Sequence, residues 1–122
     1  MISGWVHSGE AIVPLRLRGP IGDVVPVEAV LDTGFNDWLT LSSEQIAAMR
    51  LTFREKGYYI LADGSEVVSR VFEAEVHWIS GWRRILVVEM DGGSLLGMAM
   101  LAGYRVELEV IRNGRVEISP LY

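Results

Sequence analysis

Few residue types in this chain can carry chemistry, and the absences narrow the choice first. There is no cysteine, which removes thiol nucleophiles, disulfides and every Cys-based metal site. The two histidines, His7 and His77, stand far apart with no His-Glu-x-x-His spacing, so a zinc hydrolase has no ligand set and no metal is expected. His7 reads as a solvated residue near the start of the chain, and His77 as the polar face of a strand. No Gly-x-Ser-x-Gly elbow occurs, and the single lysine, Lys56, belongs to no glycine-rich phosphate loop. What remains is Leu31-Asp32-Thr33-Gly34, placed directly after the apolar run Val24–Leu31. A carboxylate at the end of a buried strand is expensive to bury unpaired, and it is a group able to hold or move a proton. Thr33 adds a hydroxyl on a stiff β-branched side chain, and Gly34 allows positive φ or the close approach of another backbone. The same tripeptide also makes a good turn. On these residues alone the turn and the site stand level.

The elements that would position Asp32 are mostly strands. Val24–Leu31 reads as a buried strand with Pro26 on one side, and Arg83–Glu89 as another, shorter one. Val67–Trp78 reads as a long strand. Val68, Phe72, Ala74, Val76 and Trp78 fall on one face, Ser69, Glu73, Glu75 and His77 on the other, and Arg70 breaks the pattern. Asp63-Gly64 supplies a turn between Tyr58–Leu61 and that strand, which makes a hairpin. A second hairpin is expected near the end: Tyr104, Val106, Leu108 and Val110 alternate with charged residues, Asn113-Gly114 suits a type I′ turn, and Val116 and Ile118 alternate on the return. One helix is signalled by Ser42 as its cap, Gln45 to complete a capping box and a Leu41–Ile46 staple; it should run to about Met49. A shorter helical piece is expected at Met98–Ala102, stopped by Gly103. The sum is one all-β domain over residues 1–122, a closed barrel or sandwich with one or two short helices.

The 122 residues are 50% hydrophobic and 22% charged, enough apolar side chain to offset the entropy of ordering the chain. No run approaches a membrane span; the best, Ile85–Val88, is bounded by Arg84 and Glu89. Met1–Trp5 lacks the basic and apolar regions of a secretory signal, so a cytoplasmic location is expected. A net charge of −5 with scattered arginines makes nucleic acid a poor partner. Four tryptophans and so much apolar side chain exceed what a small core hides, and self-association is one outlet.

Taken together, three segments resemble the retropepsin-like aspartic proteases, the single-domain relatives of pepsin. Val30-Leu31-Asp32-Thr33-Gly34 is similar to the catalytic loop, Asp63-Gly64-Ser65 at a hairpin tip to the flap, and Ser94–Leu101 to the hydrophobic-hydrophobic-Gly segment that threads behind the loop. The likeness runs from Ala11 to Ile118, and Leu95–Ile118 is nearer to cellular members, such as the protease-like domain of ubiquitin-shuttle proteins, than to retroviral ones.

The resemblance implies a closed-barrel fold and peptide-bond hydrolysis without a cofactor. Only one Asp-Thr-Gly is present, so an acid and base pair requires a second Asp32 from a two-fold-related copy, hence a homodimer. Two carboxylates held close share a proton. One activates a water while the other polarises the scissile carbonyl. Asp32, Thr33 and Gly34 are then the catalytic loop, with Thr33 bonding across the dimer axis. Phe35, Asn36, Asp63, Gly64, Ser65, Leu96 and Gly97 are expected to contact an extended polypeptide substrate, and Val116–Tyr122 to join the dimer interface. Retroviral members have alanine where this chain has Phe35, and an Asp and an Arg where it has Asn36 and Met98. Two other readings stay open: a catalytically silent member of this fold used for dimerisation or peptide binding, and an unrelated β-barrel module in which Asp-Thr-Gly is only a turn.

Overall fold

The computed structural model describes residues 1–122. The chain is mostly β, with β1 (Ile2–His7), β2 (Glu10–Arg18), β3 (Val24–Leu31), β4 (Leu39–Leu41), α1 (Ser43–Met49), β5 (Thr52–Ile60), β6 (Glu66–Trp78), β7 (Gly81–Glu89), β8 (Ser94–Leu96), α2 (Met98–Leu101), β9 (Tyr104–Leu108) and β10 (Arg115–Pro120). The strands join in one sheet ordered β5-β6-β7-β4-β8-β3-β2-β1-β10-β9. A further antiparallel pairing, Leu17 with Val76 and Arg18 with Glu75, ties β2 back to β6. The pairings therefore run from β6 through β7, β4, β8, β3 and β2 and return to β6. Strand β2 manages this by changing partner along one edge, facing β1 near Ala11 and β6 near Leu17. No helix is long and apolar enough to cross a membrane.

Period-two patterning decides what faces inward. Val13, Leu15 and Leu17 of β2 are buried while Pro14 and Arg16 are exposed, and β3 buries Val27 and Ala29 against exposed Pro26 and Glu28. Leu39, Leu41 and Leu96 are fully buried, and Ile46 and Met49 of α1 with Met100 and Leu101 of α2 close the same core. Each such aliphatic side chain contributes roughly 1.5–3 kcal/mol on burial. In β6 the alternation holds from Phe72 to Trp78, but Val71 is buried as well and Val68 is exposed. Arg70, the exception to the pattern, reaches across to β7 and forks onto both carboxylate oxygens of Glu89.

Local signals hold for α1. Ser42 Oγ accepts from the Gln45 N–H at 3.2 Å, and Gln45 Oε1 accepts from the Ser42 N–H at 2.9 Å. The second helix ends at Leu101, one residue short of the expected Ala102, with Gly103 at φ +88°. The C-terminal turn differs. Strand β9 stops at Leu108, Val110 is exposed, and of Asn113-Gly114 only Asn113 has positive φ, whereas a type I′ turn needs both. Gly114 serves close packing instead, since a Cβ there would lie 1.8 Å from the Glu109 carbonyl oxygen. The turn with both residues left-handed is Ser8-Gly9, which joins β1 to β2. Strand β10 pairs with β1 on one side and β9 on the other, and Val116 and Ile118 are fully buried. Val116–Ile118 are thus paired on both edges, while Ser119 and Pro120 pair with β9 alone and Leu121 and Tyr122 lie exposed beyond them.

Candidate active site

The Asp32 loop is built where three short elements meet. Strand β3 runs parallel to β8, with Leu31 opposite Leu96, while β8 lies antiparallel to β4 with Leu96 opposite Leu39. Residues 32–38 must therefore leave β3, cross the end of β8 and enter β4. Four backbone hydrogen bonds pin that crossing. The Asp32 N–H donates to the Leu96 carbonyl at 2.9 Å, while the N–H groups of Gly97, Met98 and Ala99 donate to the carbonyls of Trp38, Phe35 and Asp37 at 3.0, 2.8 and 3.2 Å. The loop sits so closely on Gly97 that a Cβ there would lie 2.2 Å from the Asp37 oxygen and 2.6 Å from the Phe35 ring. Asp32 itself is half-buried, and its Oδ1 accepts from the Gly34 N–H at 2.8 Å. Its Oδ2 has no partner within the chain. Thr33 and Gly34 are exposed beside it.

Thr40 holds this frame from within. It is fully buried, and its Oγ1 accepts from the Leu95 N–H at 2.8 Å, fastening β8 to β4. Thr40→Val keeps the shape but leaves that N–H without an acceptor, so it should destabilise the fold by about 1–3 kcal/mol. Thr40→Ser should recover most of the difference, as read from urea midpoints.

The second component is the β5–β6 hairpin. Its tip closes with the Leu61 N–H donating to the Ser65 carbonyl at 2.8 Å and Gly64 at φ +86°. Asp63 Oδ1 accepts from both the N–H and the hydroxyl of Ser65, and these bonds hold the Asp63 carboxyl below its usual range. A depressed folded-state pKa means that this contribution is present above the ordinary aspartate pKa and is lost as pH falls through the folded value. The Ser65 amide should therefore exchange faster relative to core amides on acidification through that range, and Asp63→Asn should flatten the dependence. Register places Glu55, Gly57 and Tyr59 of β5 on one face with Val71, Ser69 and Val67 of β6. Tyr58, Ile60 and Val68 point the other way and are exposed.

The structure brings Asp32, Gly34, Phe35, Leu96 and Gly97 together. Asp63, Gly64 and Ser65 stay at the exposed hairpin tip and make no hydrogen bond to the Asp32 loop, and Asn36 is exposed without a side-chain partner. Leu96 is fully buried in the core and Gly97 is buried beneath the loop, so both lie behind Asp32 in the free chain. Phe35 packs against Gly97 on that same supported side. Sequence reasoning missed Thr40, Asp37 and Tyr59. Partial burial first, then the negative charge of Asp37, with a further contribution from Glu55, pushes the Tyr59 phenol up to about 12. The one available signal was the alternation of Glu55, Gly57 and Tyr59, which puts a glycine beside a tyrosine on one face. No three His, Asp or Glu side chains converge as a metal site would need. Comparison with protein-family models gave no match, and comparison with curated proteins gave none either.

Proposed function

We propose that this chain is one subunit of a retropepsin-like aspartic endopeptidase that acts as a homodimer in the cytoplasm. The observation that carries the reading is the threading of Ser94–Gly97 beneath the Asp32 loop, which fixes a half-buried carboxylate at a strand end with Oδ2 unpartnered. A plain turn has no need of four backbone bonds from a buried segment. The circuit of pairings from β6 back to β6 supports the closed barrel of that fold.

Chemically, one Asp32 is half a site. A second copy across a two-fold axis places another carboxylate against Oδ2, and like charges at that range share one proton. The ionised member takes a proton from a water, whose oxygen adds to the scissile carbonyl. The protonated member donates to that carbonyl oxygen, and collapse of the tetrahedral species with proton transfer to nitrogen releases the amine and the acid. The hairpin closes over an extended polypeptide, recognised through its backbone. The packing of Phe35 against Gly97 keeps its ring with the supporting segment.

The test is digestion of a denatured protein or a peptide library across the acid range, with and without a peptide-like inhibitor bearing a transition-state hydroxyl. Discrete cleavage suppressed by the inhibitor is expected, from a species of twice the 13.6 kDa chain mass in sedimentation. A well-formed dimer that cleaves nothing would assign the fold to a silent dimerisation or peptide-binding module.

A further inference from the structure

Arg18, Arg54, Arg70 and Arg115 each hold a glutamate carboxylate. Of the arginines that pair with none, Arg16, Arg50, Arg84, Arg105 and Arg112 are exposed, and water serves their charge. Arg83 of β7 alone is half-buried without a carboxylate. Its guanidinium lies instead over the ring of Trp38, with Cζ 4.7 Å from the centroid. A cation over an indole face is attracted by the ring's quadrupole, and more strongly where water is partly excluded.

Trp38 is the last residue of the crossing loop that carries Asp32. Its half-buried indole packs against the core, and its carbonyl accepts from the Gly97 N–H at 3.0 Å. The next residue, Leu39, opens the parallel ladder of β4 with β7, which runs from Leu39 opposite Val87 to Leu41 opposite Glu89. Arg83 extends the hold of β7 one residue beyond that ladder, onto the loop itself. Gly97 is seated against Asp37 and Phe35, so a displaced Trp38 loses the Gly97 bond and loosens the seat of the whole crossing.

We propose that Arg83 is a positioning residue: its guanidinium, over the Trp38 ring, clamps the β4 end of the Asp32 loop and keeps Asp32 placed for hydrolysis. The catalytic consequence rests on the protease reading, whereas the clamp itself exists in the free chain. Arginine suits the task because its planar, weakly hydrated head stacks on aromatic faces, which the strongly hydrated ammonium of lysine does less well. Its charge also stays on at every pH at which the protein works.

Amide hydrogen exchange in the free, full-length protein tests the clamp without any substrate. Arg83→Met keeps the length of the side chain, removes the cation and leaves the indole in place. It should speed exchange of the Gly97, Met98 and Ala99 amides by about fivefold, the scale of one partly buried cation–ring contact. The Leu61 and Gly64 amides, which open with the hairpin tip, should not change. Arg83→Lys should fall between Arg83→Met and the wild type. In a Trp38→Leu background, Arg83→Met should add nothing, since the ring it acts through is gone. In peptide hydrolysis, Arg83→Met should lower kcat by about fivefold with KM within about twofold, and Arg83→Lys should restore part of the loss. Unchanged exchange at Gly97 in Arg83→Met, or an equal further acceleration in the Trp38→Leu background, would overturn the clamp. Normal kcat in an Arg83→Met protein whose exchange responds as described would overturn its role in placing Asp32. Hydrolysis by the wild type tests the protease reading separately: the expected exchange in a protein that cleaves nothing keeps the clamp, and removes the protease and with it the catalytic role of Arg83.

Discussion

Asp32→Asn is expected to abolish peptide hydrolysis, lowering the rate by about 10³-fold or more, while leaving the fold in place. The amide keeps the carboxylate's shape, and its oxygen can still accept from the Gly34 N–H, so the turn that shapes the loop survives. The four backbone bonds behind the loop do not involve the side chain at all. On the proposed reading, what disappears is the base that takes a proton from water and the proton shared between two copies. Circular dichroism and the unfolding midpoint should match those of the wild type within about 0.5 kcal/mol, as for an accessible substitution that breaks no packing. Asp23→Asn, at an exposed carboxylate ahead of β3, should retain full activity. Undiminished cleavage by a clean Asp32→Asn preparation would place the chemistry elsewhere.

Gly97→Ala should damage fold and activity together. The added methyl would meet the Asp37 oxygen at 2.2 Å, the Phe35 oxygen at 2.7 Å and the Phe35 ring at 2.6 Å. Two of these are backbone atoms, and they belong to the loop that donates and accepts the bonds described above, so relief requires moving the loop off β8. Overpacking of this kind costs about 3 kcal/mol or more when backbone must shift, a fall of roughly 10 °C or more in Tm. Gly81→Ala is the control, because a Cβ at Gly81 meets nothing within 4 Å and its φ is not left-handed. Calorimetry of the two variants separates the close approach at Gly97 from a general sensitivity to glycine replacement. Equal midpoints would show that the loop does not rest on Gly97.

How much of this was legible in the sequence follows the range of each interaction. The capping box of α1 is written in Ser42 and Gln45, three residues apart, and its bonds form as expected. Strand β3 was legible through its apolar run, and Asp32 through its place at the end of it. The three-residue strands β4 and β8 have no period to detect, so Thr40 gave no sign that it would bond Leu95, 55 positions away. The misplaced type I′ turn has a different cause. Asn-Gly is favoured there on conformational grounds, but Gly114 is claimed by close packing on Glu109, while Ser8 accepts the left-handed position in the short link between β1 and β2. The sequence placed Leu96 and Gly97 at this loop but did not show their burial, since which side of a loop is buried is decided by strands distant in sequence.

The claim that each site takes one Asp32 from each of two chains is tested most directly by mixing. Wild type and Asp32→Asn are combined in equal amounts, the subunits are allowed to exchange, and hydrolysis is measured at constant total chain. If a site needs two Asp32 carboxylates, only wild-type pairs are active, and the rate falls to about one quarter of that of wild type alone, following the square of its fraction across a titration. A rate of about one half, linear in the wild-type fraction, would mean that each chain works by itself and would contradict the paired site.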